Sequence, residues 1–209
     1  MCRDYITVCE TPDFTVSASK AEIMAEDEGG SLSAGYLESL AIYRKIAEKI
    51  PEYSGFLMHG VAAQAGCHGV AFLAKSGVGK STHASYWQEL LGDRFCIING
   101  DKPLIRYVDG KPYAYGTPWA GKENIQLNTR APLDKICFIE RGEQNECTQL
   151  GKNKILSRLQ PQIYFPKDTA KVLKIFDILD CVVENCDFYL IKCRNDLSAA
   201  KSAYEGLGI

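Results

Sequence analysis

The run Ala74-Lys75-Ser76-Gly77-Val78-Gly79-Lys80-Ser81-Thr82 holds the residue types that grip a polyphosphate. Gly77 and Gly79 accept backbone angles closed to other residues, so successive N–H groups can turn toward phosphate oxygens. A helix starting at Lys80 would aim its positive end at the same anion. Lys80 supplies a mobile ammonium for β- and γ-phosphates, and the Ser81 hydroxyl can ligate magnesium. The chemistry this implies is binding of ATP with Mg2+, with Ser76, Gly77, Val78, Gly79, Lys80, Ser81 and Thr82 on the nucleotide. Ala74 stands where the strict Walker A pattern has glycine. The competing reading is a glycine-rich turn that happens to contain Gly-Lys-Ser. A buried strand before the loop and a helix after it favour the phosphate loop.

Other candidates flank it. His59 ends an apolar run one hairpin upstream, in Met58-His59-Gly60-Val61. Asp101 follows the strand after the loop's helix, in Asn99-Gly100-Asp101-Lys102, and is a second magnesium candidate beside Ser81. Turn chemistry alone also explains Asn-Gly-Asp. Arg130 lies in Asn128-Thr129-Arg130, before another apolar run. Gly116, Pro118 and Gly121 precede Lys122 and Glu123 in a loop able to close over substrate. Trp119 in that loop reads as anchor, contact or core. His68, His83 and the Tyr113/Tyr115 pair read as structural, and the basic stretch 152–158 as a solvated face.

The elements that must position these residues follow from patterning. Short strands are expected at 5–9, 13–17, 56–62, 70–74 and 94–98, from β-branched and aromatic content. Leu40, Ile42, Ile46 and Ile50 mark a helix over 39–50, stopped by Pro51. A helix spans 80–91. Asp109-Gly110 between 104–108 and 112–115 is a two-residue hairpin signal. Strands at 124–128 and 135–140, a helix at 169–184, a strand at 188–192 and a helix at 196–206 complete the chain. Hairpins mixed with βαβ pieces imply an α/β domain with a mixed sheet.

Bulk properties narrow the class. With 209 residues, 46% hydrophobic and 24% charged, the chain fits one folded domain, 1–209. A formal net charge of -2 gives no general attraction to nucleic acid or an anionic membrane. No apolar run reaches the ~18 residues of a membrane span. Asp4 and Glu10 interrupt any signal-peptide core. Nine cysteines, none in a C-x-x-C pair, suit reduced thiols, so a cytoplasmic protein is expected.

Order and spacing together resemble the superfamily of HPr kinase/phosphorylase and ATP-dependent phosphoenolpyruvate carboxykinase. Met58-His59-Gly60-Val61 is similar to the His-Gly-Val of HPr kinases, and 76–81 to their phosphate loop. Asn128-Thr129-Arg130 is similar to the Asn-Thr-Arg of the carboxykinases. The resemblance covers about 55–140, more weakly the C-terminal helix–strand–helix. It is of the short form, without an N-terminal regulatory domain, and 116–123 resembles a loop of that subgroup. It implies the carboxykinase/HPr kinase type of mixed-sheet P-loop domain. It also implies a kinase acting on a hydroxyl of a small molecule, peptide or protein, with His59, Lys80, Asp101 and Arg130 catalytic. A homo-oligomer is left open.

One departure bears on activity. The family's acidic pair is Asp-Asp; here it is Gly100-Asp101. The missing first acid is the family's candidate base, for which Glu123 or Glu140 are substitutes. The alternatives are a degenerate nucleotide-binding regulator without phosphoryl transfer and, more remotely, a carboxykinase-like enzyme on a keto acid.

Overall fold

The computed structural model describes residues 2–8, 11–27, 29–30 and 32–209. Its centre is a six-stranded mixed sheet in the order β4-β2-β3-β8-β10-β9. These strands are β2 (Val61–Ala65), β3 (His68–Leu73), β4 (Phe95–Asn99), β8 (Lys135–Arg141), β9 (Glu146–Gln149) and β10 (Asp187–Cys193). The three central strands β3, β8 and β10 run parallel, and the outer pairs are antiparallel. The fold is therefore α/β with mixed sheets, as the patterning implies.

Strands buried on both faces read as continuous apolar runs, and alternate residues pack on opposite layers. On β3, Ala71 and Leu73 join one core cluster while Val70 and Phe72 join the other. On β8 the same division separates Ile136 and Phe138 from Cys137 and Ile139. The first layer is covered by α5 (Thr169–Asn185), through Ile175, Ile178, Leu179 and Val182. The second is covered by α3 (Lys80–Leu91) and α6 (Leu197–Leu207), which pack on each other.

A separate four-stranded sheet, in the order β1-β5-β6-β7, consists of β1 (Gly55–Leu57), β5 (Leu104–Val108), β6 (Lys111–Tyr115) and β7 (Arg130–Pro132). Asp109 and Gly110 both have positive φ, which is the type I′ geometry their pairing predicts. The N-terminal part supplies α1 (Lys20–Ala25), closed by a Ser19–Glu22 capping box, and α2 (Ala34–Lys49), capped by Ser33. A third cluster joins α2 to the body through Tyr43, Ala47, Leu57 and Trp119. A short helix, α4 (Leu156–Leu159), precedes α5.

Several sequence expectations are corrected. Residues 13–17 and 6–8 form no strand, and Arg3–Tyr5 is a 3-10 turn; Cys9 lies outside the described residues. A strand needs a neighbour for its backbone groups, and no described strand pairs with these residues. Val8 is fully exposed despite its β propensity. The expected strand 56–62 is two strands in two sheets, broken at 58–60. There the His59 amide donates to the Gln162 carbonyl at 2.7 Å and the Gly60 amide to the Asp101 carbonyl at 2.9 Å. A Cβ on Gly60 would lie 2.3 Å from the Leu73 side chain, so the crossing needs glycine. The expected strand 124–128 is a turn and irregular backbone; Asn124 has φ 51°, and only Gln126 bridges, to Asn99. The helix expected over 39–50 begins at Ala34, and β7 and β9 are additional strands.

No helix among the described residues is long and apolar enough to cross a membrane.

Candidate functional site

The C-terminal end of β3 runs into the 74–82 loop and then into α3. Gly77 has φ 77° and Gly79 has φ 118°, conformations that L side chains resist. Gly79 is the N-cap of α3 and makes no side-chain cap, so the first amides of the helix have no capping partner. An anion at this end would receive both those donors and the helix dipole.

The loop faces an open cleft of about 810 Å³. Ser76, Gly77, Gly79, Lys80, Ser81 and Thr82 line it from one side. His59, Gly100, Asp101 and Lys102 line it from the β1–β2 crossing and the turn after β4, and Lys122 with Glu123 from the 116–123 loop. Three lysines face two carboxylates, a balance that favours a polyanion.

Lys80 is only 9% exposed, and its ammonium donates to the Ala74 carbonyl at 3.0 Å. Burial pulls its pKa below the ordinary lysine value, opposed by the charge of Asp101. A buried ammonium with one carbonyl partner is well placed to take phosphate oxygens as further acceptors.

Asp101 is the electrostatic hub. Its Oδ1 lies 3.3 Å from His59 Nε2 and its Oδ2 3.2 Å from Lys102 Nζ. Burial pushes its pKa up, but hydrogen bonds from His59 and Lys102 outweigh this and hold the carboxyl below its usual value. Asn99 fixes the turn beneath it. This wholly buried side chain accepts the Asp101 amide at 3.0 Å and the Lys102 amide at 2.6 Å through Oδ1. Its Nδ2 donates to the carbonyl and hydroxyl of Thr117, each at 3.0 Å. Turn chemistry and site placement therefore coincide at Asn99-Gly100-Asp101.

Two of the sequence candidates do not line the cleft. Val78 packs against the core layer under α3 and lines cavities on the far side of the loop. Arg130 lies on β7, with its guanidinium 4.6 Å from the Tyr113 ring centre and Nη1 donating to the Tyr115 hydroxyl at 2.8 Å. The guanidinium that the resemblance implies to be catalytic is set on these two tyrosines of β6. Tyr113 and Tyr115 are its partners. Of the substitute bases, Glu123 lines the cleft, whereas Glu140 pairs with Arg158 elsewhere. Trp119 is core, its ring tilted against Tyr43 with the centres 4.6 Å apart. His83 is buried and accepts the Trp87 indole N–H at 3.0 Å, so it is structural.

Sequence reading missed Tyr36, Lys102, Asn99 and Thr117. Tyr36 reaches the cleft from α2, far along the chain, and no motif marks it. Asn99 was signalled only as turn chemistry.

The residues present fit a magnesium–nucleotide. No group of three or more His, Cys, Asp or Glu side chains among the described residues could hold a metal by itself. Magnesium characteristically takes one or two protein oxygens and completes its shell with phosphate and water. Ser81 and Asp101, on the same cleft, supply that kind of donor set.

No protein-family model matches the chain, and no curated protein sequence matches it. Among solved structures the chain is similar to the Hpr(Ser) kinase/phosphatase from Coxiella burnetii. The identity is 13%, the alignment covers 59% of this chain and 93% of that one, and the TM-score is 0.35. At that score the likeness adds nothing to the argument from geometry.

Proposed function

We propose that the protein is an ATP-dependent phosphotransferase acting on a hydroxyl group. The observation that carries this reading is that the uncapped start of α3, Lys80 and Ser81 share one cleft with Asp101, His59 and Glu123. In this reading 74–82 is a Walker A loop whose amides and Lys80 hold the β- and γ-phosphates. Bound Mg2+ supplies charge neutralisation on the phosphates, and Ser81 and Asp101 hold it. Lys102 and Lys122 offset the negative charge that spreads over the transferred group. His59 orients Asp101 through their hydrogen bond. Glu123 is the proton acceptor for the hydroxyl, in place of the acid that position 100 lacks. We place the protein in the cytoplasm, a reading supported by Cys137 and Cys186, which pack as small core residues.

Calorimetry of ATP with Mg2+ tests the reading, comparing the wild type with Lys80→Met. Loss of the ammonium is expected to weaken affinity roughly 10- to 100-fold, the worth of a charged hydrogen bond. Equal affinity in both folded proteins would sink the nucleotide reading.

A second reading, a nucleotide-binding regulator without transfer, is favoured by Gly100 alone. It predicts the same ATP binding and no ADP formation with any hydroxyl compound.

A further inference from the structure

The parallel strands β3, β8 and β10 all end on one edge of the sheet, the place where ligands of open α/β sheets bind. After Leu73 the chain enters the 74–82 loop; β8 ends at Arg141, and β10 leads through Arg194 and Asn195 to α6. These three ends and the first turns of α3 enclose a cavity of about 360 Å³, a size suited to a small ligand. Val78, Ile139 and Cys193 give it apolar surface. Two hydrogen bonds tie its frame to the phosphate loop and the helix that follows. Arg141 Nη2 donates to the Gly77 carbonyl at 3.0 Å, and the Tyr86 hydroxyl on α3 donates to the Asn195 carbonyl at 3.1 Å.

His83 is the unexplained group. It lines the cavity from α3, and its residue is 3% exposed. The bond with Trp87 uses only Nε2, as an acceptor. Burial keeps the ring neutral, and a neutral imidazole that accepts at one nitrogen carries its proton on the other. Nδ1–H is therefore a donor, and it has no hydrogen-bond partner among the described residues. Among those residues, the side-chain polar atoms both unpaired and shielded from open space are in Tyr5, Tyr43, Gln126 and Gln162. The His83 Nδ1–H is not one of them, so it keeps contact with the cavity that the residue lines. An unpaired donor in such a recess costs stability until an acceptor arrives.

The rim between this cavity and the phosphate loop is open at Gly79. A Cβ on that glycine would find Asn195 Oδ1 nearest, at 4.0 Å, which leaves room for a sugar over the N-cap of α3.

We infer that this cavity holds the purine base of the nucleotide, with the His83 Nδ1–H donating to a ring nitrogen of the base. The inference rests on the phosphotransferase reading above and concerns the half of ATP that the 74–82 amides do not hold. Val78 and Ile139 supply apolar contact for the base, and the exposed Arg194 supplies a planar cation able to lie on an aromatic face. Trp87 fixes the tautomer, so the indole behind the imidazole decides which nitrogen reads the base.

Calorimetry and NMR of the histidine ring nitrogens, on the full chain, test this with ATP, adenosine and inorganic tripolyphosphate. Adenosine alone should shift the His83 Nδ1 signal and slow exchange of its proton with water, while tripolyphosphate should leave that exchange unchanged. ATP should bind about 10-fold or more tightly than tripolyphosphate. His83→Phe keeps a ring but removes the donor; it should weaken ATP about 3- to 10-fold and leave tripolyphosphate within about 2-fold. A merely structural histidine would leave the ratio of the two affinities where it was. If the variant does not fold, because the Trp87 indole N–H has lost its acceptor, the NMR experiment on the wild type decides alone. The inference is overturned if adenosine at its solubility limit leaves the His83 signals as in the free protein, or if His83→Phe leaves the affinity ratio unchanged. Adenosine that moves the His83 signal, with no binding of tripolyphosphate, would uphold the base pocket and sink the phosphotransferase reading alone.

Discussion

His59 Nε2 and Asp101 Oδ1 lie 3.3 Å apart although the residues come from different sheets' margins. The β1–β2 crossing delivers the histidine, and the turn after β4 delivers the aspartate. The Gly60 amide, donating to the Asp101 carbonyl, ties the two backbones together at the same point. The pair is thus held by main chain as well as side chain. That arrangement fixes the direction of a carboxylate that lines the same cleft as Ser81.

Asp101→Asn should separate nucleotide from metal binding. ATP affinity without Mg2+ is expected to hold or rise, since a negative charge leaves a site already rich in lysine. The gain in affinity on adding Mg2+ should shrink, and transfer should fall by about 10²-fold or more, the scale seen when charge stabilisation is removed. Calorimetry with and without Mg2+ checks the first part, and ADP release the second. An undiminished magnesium dependence would remove Asp101 from the metal role.

Asn99→Ala should damage fold and site together. The substitution strips an acceptor from the half-buried Asp101 and Lys102 amides and a donor from the buried Thr117. Each buried group left unpaired costs roughly 1–3 kcal/mol, so a loss of about 3 kcal/mol or more is expected in denaturant unfolding. Activity at a temperature where the variant remains folded should also fall, because the turn carrying Asp101 loses its template. A stability change below about 1 kcal/mol would show that the turn holds without Asn99.

These two residues show what a sequence yields and what it withholds. The 74–82 loop, the bounds of α3 and the Asp109-Gly110 hairpin were legible because local chemistry fixes them: glycines at positive φ bracket the helix at Gly79 and Gly92. The parallel strands were legible because burial on both faces makes them continuously apolar. The break at 58–60 was not, since its cause is tertiary. Only the Leu73 side chain and the Phe72 carbonyl, brought close by sheet pairing, forbid a larger residue at Gly60. Residues 13–17 have strand composition but no partner edge. Arg130 matched a motif, but the sequence could not show that Tyr113 and Tyr115 face it across β6 and β7. Tyr36 belongs to a part of the chain outside the resemblance, and only packing brings it to the cleft.

Gly100→Asp tests how the site manages without a paired acid. A Cβ at this position lies 3.3 Å from the carbonyl oxygens of both Ala120 and Ile125, tighter than ordinary contact. The 120–125 loop must shift by a few tenths of an ångström, and a cost of roughly 1–3 kcal/mol is expected from overpacking. With Glu123 as the base, the variant gains no rate, while Glu123→Gln loses about 10²-fold or more. Rate assays on both variants decide the point. A gain in Gly100→Asp with no loss in Glu123→Gln would favour the degenerate reading.

His83 gives the chain an acid-sensitive core. Its ring accepts the Trp87 indole N–H and lies edge-on to Phe72 at 5.1 Å, and burial pushes its pKa down to about 4. The folded protein therefore keeps the imidazole neutral where the unfolded chain, with a value near 6.5, takes up a proton. The sign follows directly. Stability is fully present above about pH 6.5 and falls as pH drops from there to about 4, because the unfolded state binds more protons. Between pH 7.5 and 5 the loss should be on the order of 2 kcal/mol, from the linkage of about 1.4 kcal/mol per pH unit. His83→Gln can still accept the indole N–H through its side-chain carbonyl but cannot titrate. Urea unfolding at pH 7.5, 6 and 5 should show the decline in the wild type and a nearly flat profile in the variant. The carboxylates with lowered pKa, Asp101 and Glu26 among them, contribute only at lower pH. Equal slopes in the two proteins over this window would mean that another group, not the buried imidazole, sets the acid response.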